Sequence, residues 1–237
     1  TGNLDATLKK KIFEYCIQVY NKKLFLGWDW HLGILEVAEK LAKNETDVDL
    51  LISCLDKTNS DYQRESAQII ILRLLHQYKT QKEVSQFIEA NLSNSRIRKT
   101  EIQKAIEDKN FEYAKKLCKD GIETDKISKP GLAIDWYRFL LKIAQAENEV
   151  SEIIKQATYL FVNDFRSEED YFEIMRANTV SEKWDVDVEK LISYIQTESK
   201  TIWRSRELIR KTYIKQQWWD RLFELLKQTE SLENIEN

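Results

Sequence analysis

The chain has 237 residues and a net charge of −3, and it contains only five glycines and one proline. An average protein draws roughly 12% of its residues from these two types. Because every β-hairpin needs its own turn residues, the composition excludes a many-stranded sandwich or barrel. The glycines form no GxGxxG and no GxxxxGK[ST] motif, which excludes the phosphate-binding loops of dinucleotide-binding and P-loop proteins.

Cysteine use and hydropathy indicate the compartment. Cys16, Cys54 and Cys118 are odd in number and widely spaced, a pattern typical of buried thiols in a reducing cytoplasm. The longest aliphatic run, residues 69–72, is far too short to span a membrane. We therefore predict a cytoplasmic protein that makes no membrane contact. Since the chain begins at Thr1, we also expect it to be a piece of a longer polypeptide.

Apolar residues recur at steps of three and four along the chain, which predicts amphipathic helices. Four stripes come first in chain order: residues 4–24, 34–41, 50–55 and 67–78. Residues that cap helix N-termini stand at the breaks between stripes; they are Thr46, Ser60 or Asp61, Thr80, Ser95 and Ser181. Glu83 completes a capping box with Thr80, and Pro130 opens the helix after the polar break at 120–130. The pattern predicts about a dozen helices joined by short links, as in antiparallel helix pairs.

A weak internal repeat refines the predicted architecture. Residues 105–117 align with residues 213–225, and looser copies begin near Ala144 and at Trp184. The spacing of about 34 to 40 residues is typical of tetratricopeptide-like (TPR-like) helical hairpins. The sequence therefore predicts an all-α fold, an α-α superhelix of antiparallel helix hairpins. Its first part would be residues 1–95 and its second part residues 96–237, continuous as one superhelix.

Several segments resemble the helical region of bacterial SWIM zinc-finger proteins. They are residues 102–122, 135–141 and 219–223, with residues 61–92 similar to the earlier helices of that region. The resemblance implies an accessory helical scaffold that works beside nucleic-acid machinery. The family's CxCx(n)CxH zinc site has no counterpart here, so no metal ligand is implied and we predict no cofactor.

No catalytic constellation stands out. His31 and His76 are the only histidines, and neither has a nucleophile at a recognisable motif spacing. Asp29 precedes His31 closely, but such near neighbours do not usually face each other on a helix. The acidic cluster at 168–173 lacks the glycine and the alternating oxygen ligands of a calcium loop, and is better explained as an acidic first helical turn. We predict that the chain is not an enzyme.

Tryptophan is unusually frequent, with seven residues, most of which we expect to wedge between helices. Trp218 and Trp219 are adjacent and cannot both point inward from one helical face. In the repeat alignment Trp219 is the docking residue, so Trp218 is predicted to be exposed. Exposed tryptophans are common interface anchors. We therefore predict that Trp218 and Trp203 bind a partner.

Charge is uneven along the chain. Residues 147–173 carry eight acidic and two basic residues, whereas residues 199–217 carry six basic residues and one acid. Near Trp203, the side chains of Arg204, Arg206, Arg210 and Lys211 could grip phosphates while an aromatic ring stacks on a base. A solvated helix face, or pairing with the acidic segment, explains the basic segment equally well.

Two hypotheses follow. In the first, the chain is a non-catalytic helical scaffold that binds one or more protein partners. In the second, it is a nucleic-acid-associated accessory domain that uses the basic helix near residues 200–215. The overall pI of about 5.7 favours the first.

Overall fold

The computed structural model describes residues 5–28, 30–58, 61–166, 170–199 and 201–229. Within these ranges the chain forms α-helices and no strand, which confirms the predicted all-α class. The helices are α1 (Ala6–Asn21), α2 (Trp30–Glu39), α3 (Glu45–Leu55), α4 (Asp61–Tyr78), α5 (Gln81–Ala90), α6 (Ser95–Glu107), α7 (Phe111–Asp125), α8 (Pro130–Glu147), α9 (Val150–Asn163), α10 (Tyr171–Ala177), α11 (Trp184–Glu198), α12 (Ile202–Gln216) and α13 (Trp219–Thr229). None of these described helices is both long enough and apolar enough to cross a bilayer.

The chain divides into two compact units, Thr1–Lys104 and Ala105–Asn237. The division falls inside α6, nine residues after the boundary at 95/96 that the sequence pattern suggested. In the first unit, α1 packs on α2 and α4 packs on both α3 and α5. In the second unit, α8 packs between α7 and α9, α9 packs on α10, and α12 packs between α11 and α13. Each unit has its own hydrophobic core, which its own helices enclose.

Two predicted helix starts are confirmed. The Thr80 hydroxyl accepts a hydrogen bond from the Glu83 amide at 3.4 Å, and the Glu83 carboxylate accepts one from the Thr80 amide at 2.9 Å. This reciprocal pair is the predicted capping box. Pro130 occupies the first turn of α8, where its missing N–H costs no hydrogen bond.

Other caps are displaced. The cap of α3 is Asn44, which accepts from the Asp47 amide at 2.9 Å, so the prediction of Thr46 is wrong. At α6 the side chain of Asn94 accepts from the Arg96 amide at 3.0 Å, one residue before the predicted Ser95. Asparagine caps as well as serine does, and the local pattern leaves the choice between neighbouring polar residues open. Ser181 begins a 3-10 turn ahead of α11, and Ser60 lies outside the described residues.

The helix junctions of the aligned segments share one backbone geometry. Lys109, Asn148 and Gln217 each adopt a left-handed conformation, with φ of 56°, 57° and 57°. In each case the next amide donates back to a carbonyl five residues earlier, over distances of 2.7 to 2.9 Å. This is the Schellman ending of a helix. The looser copy at Trp184 differs, because a 3-10 turn precedes it.

These junctions supply a test of the backbone geometry. Replacing Lys109 with glycine is expected to raise the free energy of unfolding by about 0.5–1 kcal/mol, because a side chain is disfavoured at positive φ. The measurement is the urea midpoint at constant m-value. Lys116→Gly, on the exposed side of α7, is the matched control and should lower stability by about 1 kcal/mol. Equal losses in both variants would contradict the left-handed turn.

Candidate protein-binding surface

Helix α12 carries most of the predicted site residues. It begins at a cap, where the Thr201 hydroxyl accepts a hydrogen bond from the Arg204 amide at 3.1 Å. Leu208 and Ile209 point into the core of the second unit. Because successive helix residues advance by about 100°, the face opposite this core carries Trp203 and Arg210. Trp203 is 74% exposed, as an interface anchor must be in the free protein.

The positive charge on α12 is partly neutralised. Arg210 binds Glu207 through two guanidinium nitrogens, with Nε–Oε2 and Nη2–Oε1 distances of 3.0 and 2.9 Å. Lys211 approaches the same carboxylate to 3.5 Å. Partial burial would raise the pKa of Glu207, but these two cations hold it below its ordinary value, so the carboxylate is ionised at neutral pH. Of the four predicted nucleic-acid contacts, Arg210 and Lys211 form ion pairs with Glu207, whereas Arg204 and Arg206 form none with a described residue.

Arg204 is turned away from Arg206 and Arg210. Its guanidinium carbon lies 4.3 Å from the centroid of the Phe165 ring, a cation–π contact with the loop after α9. Burial lowers the pKa of this guanidinium, and its Nε atom makes no hydrogen bond with a described residue. The structure therefore divides the four predicted basic side chains between different sides of α12 instead of gathering them into one patch.

The acidic and basic segments meet at one point. Lys215 of α12 forms ion pairs with Asp170 and Glu173, which begin α10. The same Asp170 side chain caps α10 by accepting from the Glu173 amide at 3.2 Å, which agrees with an acidic first turn. Lys200, Glu168 and Glu169 lie outside the described residues. This ion pairing supports the interpretation that the basic segment balances the acidic one.

The predicted orientation of the tryptophan pair is wrong. Trp218 is the half-buried member: its ring lies 6.1 Å from that of Tyr213 and is covered by the Arg221 guanidinium at 4.2 Å. Trp219 is 57% exposed. The physical reason is the left-handed turn at Gln217, which directs Trp218 back onto the core and makes Trp219 the first residue of α13. The corresponding first residue of α9, Val150, is also exposed.

Helix α13 presents a surface that sequence reasoning missed. Trp219 and Phe223 are one turn apart and are 57% and 59% exposed. The opposite side of α13 packs on the core through Leu225, as does Trp218, the residue just before the helix. We call Trp219 and Phe223 the α13 stripe. The i, i+4 spacing of Trp219 and Phe223 can be read from the sequence. We did not interpret it as an exposed stripe because the repeat alignment predicted Trp219 to point inward.

The second unit also contains a groove of about 600 Å³ lined by α7, α8 and α9. Its central cation, Lys115, lies 2.8 Å from Glu147, 3.1 Å from Glu112 and 3.8 Å from Glu149. Hydrogen bonds from Lys115 to these carboxylates raise its pKa despite partial burial. Lys115 and these carboxylates already neutralise one another. The groove is therefore a weaker candidate for a binding site than the α13 stripe.

The two histidines considered as catalytic residues both lie in the first unit. His76 is exposed on α4, and His31 is buried at the start of α2, while Asp29 falls outside the described residues. Within the described chain, no three metal-ligating side chains come together.

No protein-family model matches this chain, and no match was found among curated proteins or solved structures, so the resemblance to SWIM zinc-finger proteins stays a prediction.

Proposed function

We propose that this protein is a helical interaction module that binds an amphipathic helix of a protein partner along the α13 stripe. The observation that carries the proposal is the exposure of two large aromatic side chains, Trp219 and Phe223, on one face of a helix whose other face is packed. Exposed aromatic pairs of this kind are typical interface anchors.

The expected occupant is a helix because the described helices of this unit pack on one another side by side. Apolar residues of α11 such as Val188 and Ile192 are buried, and α12 packs against α11 through Leu208. A further amphipathic helix laid on α13 would continue the same helix-on-helix packing. The stripe is flanked by charges of both signs, Asp220 and Lys227, which favours a partner helix with a mixed polar border.

Trp203 is a second anchor in this proposal. Its indole is 74% exposed on the outer face of α12, and the neighbouring Arg210 is held in place by Glu207. Trp218 is not proposed as a contact, since its ring is already packed. Nucleic-acid binding through Arg204, Arg206, Arg210 and Lys211 is the weaker proposal because Glu207 reduces their charge and they lie on different sides of α12.

The test is site-specific photo-crosslinking followed by affinity measurement. A benzophenone amino acid is placed at position 223 or, as a control, at position 30, where another aromatic side chain is highly exposed in the first unit. Crosslinking is done in native lysate with and without nuclease, and the crosslinked peptide is identified by mass spectrometry. We expect one amphipathic helical segment of another protein at position 223, insensitive to nuclease, and not at position 30.

The affinity arm uses the synthetic peptide of that crosslinked segment. Trp219→Ala is expected to weaken binding by about 30-fold, the effect of losing an aromatic hot spot, with little change in stability because the ring is largely exposed. Trp30→Ala is the matched control and should bind normally. Crosslinks that are equal at both positions, that reach only a second copy of this chain, or that vanish with nuclease would overturn the proposal.

A further inference from the structure

The first unit contains a cavity that the proposed function does not use. It has a volume of about 410 Å³ and lies where the end of α1, the loop before α2 and the end of α3 meet. Its lining consists of Tyr20, Asn21, Lys23, Leu26, His31, Lys57, Thr58 and Gln63. Polar and aromatic side chains therefore converge on a space large enough for a small molecule.

His31 is the unusual member of this lining. Its side chain is only 6% exposed and stacks on Tyr20, with ring centroids 4.4 Å apart and an interplanar angle of 14°. Neither imidazole nitrogen makes a hydrogen bond with a described residue, and Nδ1 is fully buried. Leaving a buried polar group without a partner is costly, so a feature of this kind calls for an explanation. Because His31 lines the cavity, its imidazole is within reach of a ligand bound there.

The charge of the cavity indicates what kind of ligand. Lys23 and Lys57 bring two ammonium groups to the lining, and no described lining residue is acidic. The backbone of Lys23 has a left-handed conformation, with φ of 54°. Burial and the charge of Lys23 lower the pKa of His31, so its imidazole is neutral at physiological pH and retains one N–H donor and one acceptor.

Hydrogen-bond donors complete the set. The amides of Asn21 and Gln63 line the cavity beside Thr58, whose hydroxyl exchanges a 3.0 Å hydrogen bond with Tyr20. A phosphate monoester carries close to two negative charges at neutral pH and three strong acceptor oxygens. Two ammonium groups with several neutral donors match that charge and that capacity, whereas a carboxylate would leave one cation uncompensated.

We infer that the cavity beside His31 binds the phosphate group of a phosphate monoester, with Lys23 and Lys57 compensating its charge and His31 hydrogen-bonding to it. The monoester can come from a soluble metabolite or from a lipid headgroup. Leu24, Phe25 and Trp28 lie in the same loop as Lys23 and have exposed apolar side chains, which a lipid surface could contact.

The test uses the two histidines as reporters, since the whole chain contains only two. Phenyl phosphate is titrated into the protein at constant pH and ionic strength while the imidazole resonances are followed by NMR. His76→Gln identifies the His31 signal. We expect a saturable shift of His31 and no shift of His76, which is exposed on α4. Acetate at the same ionic strength should shift neither.

Variants separate a binding role from a structural one. The double variant Lys23→Gln/Lys57→Gln should raise the Kd for phenyl phosphate by at least about tenfold, because it removes both charge-assisted contacts. Lys82→Gln, on the exposed side of α5, is the matched control. His31→Phe keeps the ring stacked on Tyr20 but removes both nitrogens, so it should abolish binding while the melting temperature stays equal or rises.

A second arm distinguishes the source of the monoester. Phosphatidylcholine vesicles with and without phosphatidic acid are sedimented with the protein and with the double lysine variant. Binding to phenyl phosphate alone indicates a soluble ligand, and additional lysine-dependent sedimentation with phosphatidic acid indicates a lipid. A His31 response that does not saturate, that matches the His76 response or that saturates at the same concentration in the double variant overturns the inference, as does the absence of any response in both arms.

Discussion

Replacing Arg138 with methionine is expected to lower the free energy of unfolding by about 3–5 kcal/mol, because it leaves a buried carboxylate without its cation. The Asp164 side chain is fully buried and accepts hydrogen bonds from Arg138 Nε and Nη2, both at 2.7 Å. The hydroxyl of Tyr171 donates to the same carboxylate at 2.8 Å. The node thus joins α8, the end of α9 and the start of α10. Urea unfolding at neutral pH measures the loss.

Arg210→Met is the matched control for this prediction. Arg210 also binds a carboxylate through two nitrogens, but its pair with Glu207 is on the surface of α12. Exposed pairs of this kind contribute little, so the loss should be about 0.5 kcal/mol or less. The double variant Arg138→Met/Asp164→Asn should be less destabilised than the sum of its single variants. Equal effects of Arg138→Met and Arg210→Met would contradict the buried node.

The same node predicts how stability depends on pH. Burial by itself would raise the pKa of Asp164, but the hydrogen bonds from Arg138, the Arg166 amide and Tyr171 outweigh it and hold the pKa below its ordinary value. An acid with a depressed pKa in the folded state stabilises the fold above its unfolded pKa, near 4. Its contribution should therefore be complete at neutral pH and decline as the pH falls below about 4. In Asp164→Asn the free energy of unfolding should lack this contribution to its decline at acidic pH.

Replacing Trp136 with alanine is expected to cost about 3–5 kcal/mol as well, for a different reason. Trp136 is fully buried in α8, and its indole N–H donates to Asp125 Oδ2 at 2.8 Å across the α7–α8 contact. The substitution opens a large cavity and removes the indole N–H that donates to the buried Asp125 at the end of α7. The measurement is chemical unfolding followed by circular dichroism.

Two further variants keep this second prediction testable. Trp136→Phe retains an aromatic ring, although a smaller one without the N–H, and should cost less than Trp136→Ala, so the milder variant can be measured even if the alanine variant does not fold. Trp203→Ala removes the same side chain from a site that is 74% exposed and should change stability by no more than about 0.5 kcal/mol. Equal losses at Trp136 and Trp203 would contradict the assigned burial.

Much of the fold was predictable because helix formation is decided locally. The steps of three and four between apolar residues predicted the all-α class, and the capping box at Thr80 and Glu83 requires only residues within one helical turn. The shift from Thr46 to Asn44 shows where this reasoning weakens. Several neighbouring polar side chains can cap equally well, and the packing of the helix chooses among them.

The candidate site was less predictable. The sequence predicted Trp203 as a partner contact and showed the charge of the α12 segment, but it did not show how the basic side chains divide between sides of the helix. Arg204 is directed to Phe165, which lies 39 positions earlier in the chain, and the partners of Lys215 are similarly distant. A contact between residues so far apart leaves no periodic signal in either segment.

By itself, then, the sequence determined that the chain is helical, that it lacks turn-rich β structure, and where several of its helices begin, because these properties depend on hydrogen bonds and side chains within a few residues. Only the tertiary structure decided that Trp218 packs while Trp219 is exposed, that Asp164 is buried with Arg138, and that His31 lines a cavity with two lysines. The physical reason is that burial and the pairing of charges depend on side chains that other helices supply.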